Sequence, residues 1–402
     1  MAEDWADRYR DLIGRLPGVA ASAPLTLCGS GACIDARVSL HDIGPMLTSD
    51  HPDARFFGLM LQARAARGQG GEVAADWADG PAWIMQALPT SLALGGTGPH
   101  AAATLSAIGA PALLALQDRS ALMLSLAPST VLLAEGERLV TVASADRRGA
   151  ARPPVFIFEY TAGRPIGAVV PERSSRIIVR FGNFPLEHDL DFDRMTVAHA
   201  AEAGAGLVSG FSSVAAADLE AELTRVTTLV RAWRAEGLAT VHLELAGFET
   251  LELMRATLKQ ARGVVTSVGM SLSELHMLSG RDARLADAMQ ALGENLAVDR
   301  VCVHADHWAA SVTRRDPEAE MEALMTGCLL ASARAACGRP VLPQHLDTAA
   351  VFEPLRLDAL SQAGPWRFVA CASPYLRSPE TTLGLGDTFT GGCLLALGSR
   401  RA

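Results

Sequence analysis

The 402-residue sequence predicts an α/β fold with a large domain and a small β-rich lid. Three observations predict it. Apolar β-type runs alternate with helical stretches over most of the chain, which implies a mainly parallel sheet with helices on both faces. Polar residues fall at the ends of several of those runs, where such folds bind ligands. Two segments break the rhythm with short β-like runs and a Gly-rich turn. The large domain is expected from residues 1–37, 91–150 and 185–402, and the lid from 38–90 and 151–184.

The elements follow in order. "MAEDWADRYRDLIGRLPG" reads as an amphipathic helix with mixed charges and no signal-peptide core. "LTLCGSGACIDARVSL" (25–40) opens as a strand. "PALLALQD" (111–118), "AGLVSGF" (205–211), "ATVHLELA" (239–246), "GVVTSVGM" (263–270), "DRVCVHA" (299–305) and "WRFVACA" (366–372) read as further buried strands. Helical patterns lie at 97–109, 216–236, 249–261, 273–292, 316–337 and 388–398. The lid excursions hold "ARAARGQGGEV", "PPVFIFEY" and "SSRIIVRF".

Composition narrows the function. A net charge of −9 without a basic run weighs against nucleic acid or an anionic membrane as partner. Aromatic residues make up 5%, too few for a base-stacking platform. The apolar stretch 110–135 is broken by Gln117, Asp118 and Arg119, so it does not read as a membrane span. Seven cysteines without CxxC spacing read as buried free thiols, and the expected location is the cytoplasm.

Four stretches carry chemistry. In "GLGD" (384–387), a helix starting near Thr388 would leave the amides of 384–387 free around one spot. The helix dipole makes that spot an anion site, and Asp387 beside it can take a proton from a hydroxyl. An Asp cap with turn glycines fits the same letters. In "ALGGTGPHAAATLSAIGAP" (93–111), Gly95 and Gly96 precede a small-residue helix, and His100 in its first turn is placed to touch a ligand or to cap and pack. Glu244 in "VHLELA" and Glu274 in "SVGMSLSEL" end successive strands and are placed to organise Mg²⁺ through water. The alternatives are an ion pair with His242 for Glu244 and a capping box from Ser271 for Glu274. In "GSGACID" (29–35), Asp35 follows a strand and a Gly-rich turn, and suits a sugar hydroxyl or a plain turn.

In this order the stretches resemble the ADP-dependent phosphofructokinase/glucokinase family of the ribokinase-like superfamily, from about residue 25 to the C-terminus. "HLELA" is similar to its His-x-Glu signature and "TTLGLGDT" to its catalytic Gly-x-Gly-Asp. The resemblance implies a ribokinase-like α/β/α domain with a lid, and an ADP-dependent sugar or sugar-phosphate kinase using Mg²⁺. It implies Asp387 as base with Gly384 and Gly386 holding the phosphoryl group. Asp35, Glu72, Gly95, Gly96, His100 and Arg176 would bind the acceptor; Gly384, Leu385 and Arg377 the nucleotide; Glu244 and Glu274 the metal. An acidic residue at Gly71 would accompany glucose in that family, so Gly71 points to another sugar. Arg173, Arg176 and Arg180 would offer a phosphate-binding strand face or a solvated one. Ser271 stands where the family has Asn, and Gly31 and Cys33 stand where its first strand has Asn. An ATP-dependent sugar kinase of the wider superfamily and a non-catalytic sugar-binding relative are the competing readings.

Overall fold

The computed structural model describes residues 5–150, 153–361 and 364–399. The first four residues of the expected N-terminal helix, residues 151–152 of the second excursion and residues 400–402 lie outside the described residues.

Two sheets organise the chain. The strands are β1 Thr26–Cys28, β2 Cys33–Ser39, β3 Gly71–Ala74, β4 Thr90–Gly95, β5 Ala112–Leu114, β6 Leu132–Glu135, β7 Arg138–Thr141 and β8 Val155–Tyr160. They continue with β9 Ser175–Arg180, β10 Ala205–Val208, β11 Val241–Glu244, β12 Ser267–Ser271, β13 Arg300–His304, β14 Trp308–Thr313 and β15 Arg367–Ala372. The large sheet runs β15-β14-β13-β12-β11-β10-β1-β5-β6-β7. Its seven central strands, from β13 to β6, are parallel, and antiparallel strands finish both edges. Apolar clusters lie on both of its faces, as two-sided burial of a parallel sheet requires.

The small sheet runs β3-β9-β8-β2-β4. Residues 33–37 and 91–95, expected in the large domain, pair here instead, because β2 and β4 continue through both predicted boundaries. Period-two alternation divides the sheet's chemistry. Ala36, Val38, Phe156, Phe158, Ile177 and Val179 form one face, packed on Phe57, Leu61, Trp77 and Ile84 of the covering segments. Register places Asp35, Arg37, Glu159, Arg176, Arg180 and Glu72 together on the other face. That charged face meets the carboxyl ends of the large sheet's strands.

Two expected helices differ in extent. The pattern at 273–292 forms two helices, Leu272–Ser279 and Leu285–Leu296. The last helix begins at Leu385 rather than near Thr388, and spans Leu385–Ser399. It is buried from Thr388 to Ala396 and fits between two neighbours through glycine. A Cβ on Gly391 would lie 3.2 Å from Cα of Ala101, and one on Gly392 would lie 2.9 Å from Cα of Gly327. Side chains at either position would push this helix off the helices Thr97–Ala107 and Pro317–Cys337. No described helix is long and apolar enough to cross a membrane. All seven cysteines are free thiols.

Candidate active site

The start of the last helix is the centre of the site. The N–H of Thr388 already bonds the carbonyl of Gly384 at 2.9 Å. The first-turn amides with no intrahelical partner are therefore those of Leu385, Gly386 and Asp387, one residue later than the sequence suggested. Gly384 has φ +67°, a left-handed turn that glycine adopts without strain. The helix dipole adds positive character at this end.

Asp387 is held by the Thr97 hydroxyl, the first residue of the helix after Gly96. Burial pushes its carboxyl above the usual range, although the Thr97 bond and the Arg176 and Arg334 charges pull the other way. Gly96 sits at φ +98°, and a Cβ there would meet the carbonyl of Gly31 at 2.5 Å. This close crossing of backbones brings the β1–β2 turn against the helix that carries Thr97 and His100.

Asp35 lies over the Cα of Gly95, where any Cβ would overlap its carboxylate. Its Oδ1 accepts from the Cys33 thiol at 3.5 Å, and Oδ2 faces His100 Nε2 at 3.6 Å. Burial pushes Asp35 up to about 8, and burial with the Arg334 charge pushes His100 well below its usual range. The two groups meet as neutral partners, so their proximity is not an ion pair. Asp35 and Asp387 feel each other's charge, and Arg176 and Arg334 act on both. Asp35, Gly95, Gly96, His100, Arg176 and Asp387 are thus brought together.

Glu72 is also at the inner face, beside Gly247 in the loop after β11, and pairs with Arg180 at 3.0 Å. Burial raises its carboxyl, against the pull of Arg180. The three arginines do not form one free face. Arg173 precedes the strand and pairs with Asp306 at 2.8 Å. Arg180 bonds Glu72 and the Ser212 carbonyl. Arg176 donates from Nη1 to the Thr382 carbonyl at 2.8 Å, and its buried Nε has no hydrogen-bond partner. Arg377 is exposed, and its carbonyl accepts from Ser174 at 3.2 Å.

The expected metal carboxylates have other work. Glu244 Oε2 accepts from His242 at 2.8 Å and Thr390 at 3.1 Å, and Oε1 faces His304 at 3.3 Å. Burial alone would raise Glu244, but hydrogen bonds from His242 and His304 pull it down to about 2. Burial alone would lower His304, but Glu244 holds it up to about 9. Burial keeps His242 below its usual range, so the charge pair is Glu244–His304 and His242 is a neutral donor. Glu274 closes a capping box on Ser271, with its Oε2 accepting from the Ser271 N–H at 2.6 Å. Among the described residues no three His, Cys, Asp or Glu side chains are grouped to hold a metal ion. These residues do not fit a cation held directly by the protein. In this structure Glu244 makes an ion pair and Glu274 a helix cap, and their expected role in organising Mg²⁺ through water is a proposal.

Sequence reasoning missed two residues. His304 ends β13 against Gly386, within 3.0 Å of where a Cβ would stand. It met the same test as Glu244, a polar residue at a strand's carboxyl end. Arg334 reaches the site from the last turn of helix Pro317–Cys337, and it is 5% exposed. Its guanidinium covers the Cα of Gly384 and donates to Thr388 Oγ1 at 3.0 Å. A lone arginine among small apolar residues in "LLASARAAC" was the available signal.

The sequence profile described as "ADP-specific Phosphofructokinase/Glucokinase conserved region" matches residues 57–396. The chain belongs to the ADP-specific phosphofructokinase/glucokinase family. The structure is similar to an ADP-dependent kinase solved in complex with fructose-6-phosphate and ADPβS, with TM-score 0.79 and 15% identity over 100% of this chain and 99% of that one. It is also similar to a hypothetical ADP-dependent phosphofructokinase from Pyrococcus horikoshii OT3, with TM-score 0.71 and 18% identity over 94% and 98% of the two chains. A phosphofructokinase from the same organism, solved with AMP, gives TM-score 0.68 at 17% identity over 93% and 97%. No curated protein matches by sequence. The expected α/β fold with a mainly parallel large sheet and a second, smaller sheet is the fold this family member has.

Proposed function

We propose that this family member transfers the β-phosphoryl group of ADP to a hydroxyl of a phosphorylated sugar and releases AMP. The observation that carries the reading is the position of Asp387. It stands in the first turn of a buried helix, gripped by Thr97, on the side that faces Asp35, His100 and Arg176. Asp387 takes the proton of the attacking hydroxyl. The amides of Leu385 and Gly386 and the helix dipole hold the transferring phosphoryl oxygens. Asp35, Gly95, Gly96 and His100 receive the sugar. Arg176, with its buried Nε unpartnered, is the arginine best placed for a second anionic group on the acceptor. Glu72 borders the same space. The inner face of the small sheet covers the centre and keeps water from competing as nucleophile.

The donor reading rests on family membership and on the rigid seat of the helix. With the phosphoryl site fixed by packing, the nucleotide must place its β-phosphate there, and a third phosphate would lie out of line. The expected Mg²⁺ is proposed to arrive on the phosphates with waters in its other positions, since Mg²⁺ keeps several waters. It would neutralise phosphate charge, and no protein step is assigned to it.

The test supplies ADP freed of ATP, with an adenylate kinase inhibitor, against fructose-6-phosphate and glucose. The expected result is AMP formed in step with a doubly phosphorylated sugar. Turnover with ATP alone, or with glucose alone, would sink the donor or the acceptor reading respectively.

A further inference from the structure

Three buried side chains from three separate elements form a line behind the acceptor pocket. Arg334 donates from Nη2 to Nδ1 of His100 at 3.1 Å. His100 turns Nε2 to Oδ2 of Asp35 at 3.6 Å, beyond hydrogen-bond length. Nε2 of His100 is buried and has no partner. His100 itself is 5% exposed.

The chemistry of the first contact decides the second. A guanidinium carries donors only, so the His100 nitrogen facing Arg334 must offer a lone pair. The ring's single proton then sits on Nε2, aimed at Asp35. A proton on Nδ1 would point at the Arg334 donors and lose the bond. Arg334 cannot easily turn away. Its Nη1 is tied to Thr388 Oγ1 at 3.0 Å, and its plane lies on Gly384, where a Cβ would fall 2.6 Å from Cζ.

We propose that Arg334 is a positioning residue that fixes His100 as the Nε2–H tautomer, so that His100 and Asp35 together read one hydroxyl of the acceptor. The 3.6 Å gap is closed by an oxygen that accepts from His100 Nε2–H and also hydrogen-bonds Oδ2 of Asp35, accepting from the neutral carboxylic acid or donating to its carboxylate. A hydroxyl does both. A carbon-bound hydrogen at that sugar position does neither, and leaves two buried polar groups without partners. This specificity role rests on the sugar-kinase reading above; the tautomer itself does not.

The test has two arms. In the first, ligand-free protein labelled with ¹⁵N-histidine is observed by long-range ¹H–¹⁵N correlation at neutral pH, with His100→Gln assigning the signal. The expected spectrum has the proton on Nε2 and a bare Nδ1. Arg334→Lys, which keeps only donors, retains that spectrum, and Arg334→Met gives a mixture of tautomers. In the second arm, fructose-6-phosphate is compared with analogues lacking one hydroxyl each. The parent should discriminate against one analogue by at least about tenfold in kcat/KM, the cost of an unpaired buried group. Arg334→Met should lose most of that ratio and Arg334→Lys should keep it. A parent spectrum with Nδ1–H or with both nitrogens protonated overturns the proposal, even if Arg334→Met fails to fold. So does an unchanged deoxy ratio in folded Arg334→Met. Absence of turnover on every sugar phosphate would remove the kinase reading, while the nitrogen spectrum still decides the tautomer.

Discussion

Glu159, on the small sheet, accepts from both the backbone N–H and the hydroxyl of Thr382, at 2.7 and 3.1 Å, two residues before Gly384. Its other oxygen takes Arg37 at 2.7 Å, and Thr381 adds a third donor at 2.9 Å. Burial alone would raise Glu159, but Arg37 and the Thr382 amide hold it below the usual carboxylate range. One carboxylate therefore ties the small sheet to the segment that leads into the last helix. Glu159→Gln should cost about 1–3 kcal/mol, the usual loss when a bond to a charged group is removed. Thermal unfolding should show that loss, and kcat should fall with it. An unchanged melting temperature and rate would mean the link is idle.

Asp387→Asn keeps the shape of the side chain and its contact with Thr97 but cannot accept a proton. It should lower kcat by about 10²–10⁴-fold, the range for general base catalysis. ADP binding, measured by calorimetry, should stay close to the parent. Turnover within a few-fold of the parent would rule out Asp387 as the base.

Asp35 gives a pH signature of stability. Burial raises its folded value to about 8, against an unfolded value of roughly 3.9. Between these values the folded state binds the extra proton, so the Asp35 contribution is full below the unfolded value. It is lost as pH rises through about 8. Asp35→Asn does not titrate. Melting temperatures of the parent should therefore fall relative to the variant between about pH 4 and pH 8, the window those two values bracket, and level off above it. Parallel curves would show that Asp35 is not held neutral.

Glu244→Gln separates the ion pair from a metal role. The change removes the carboxylate that keeps His304 charged, so His304 goes neutral beside an amide, and losing a buried pair costs up to about 3–5 kcal/mol. The melting temperature should drop, and the Mg²⁺ concentration for half-maximal rate should stay unchanged. A several-fold rise in that concentration with stability intact would restore Glu244 as an organiser of the cation.

Much of this was legible from local pattern. Each of the seven runs read as strands in the large sheet contains one, from β1 to β15, because apolar runs bounded by turn residues carry that signal within a few letters. Asp35, Gly95, Gly96, His100 and Asp387, which the structure brings together, stood out in the sequence because each lies beside glycine near a strand end or a helix start. The small sheet's strands were cut short because β2 and β4 run through the expected boundaries at 37/38 and 90/91 without a break in their alternation. The Glu244–His304 pair was not legible because His304 stands two strands away through β12, and that neighbourhood is made by parallel register rather than by spacing. Arg334 left a signal in its own stretch, but its contacts were hidden for a similar reason. Its neighbours are Gly384, in the turn before the last helix, and His100, in helix Thr97–Ala107, both far from it in sequence.

The small sheet grips the rest of the molecule largely by its main chain. Arg176 binds the Thr382 carbonyl, Arg180 the Ser212 carbonyl, Ser174 the Arg377 carbonyl, and Glu159 the Thr382 amide. A carbonyl or amide is the same atom whatever side chain the residue carries. The receiving loops are therefore free to drift in sequence while the latch survives, provided the few gripping side chains persist. Divergence should accumulate on the receiving side and spare the gripping side. A fold shared at 18% identity is what such an asymmetric latch allows.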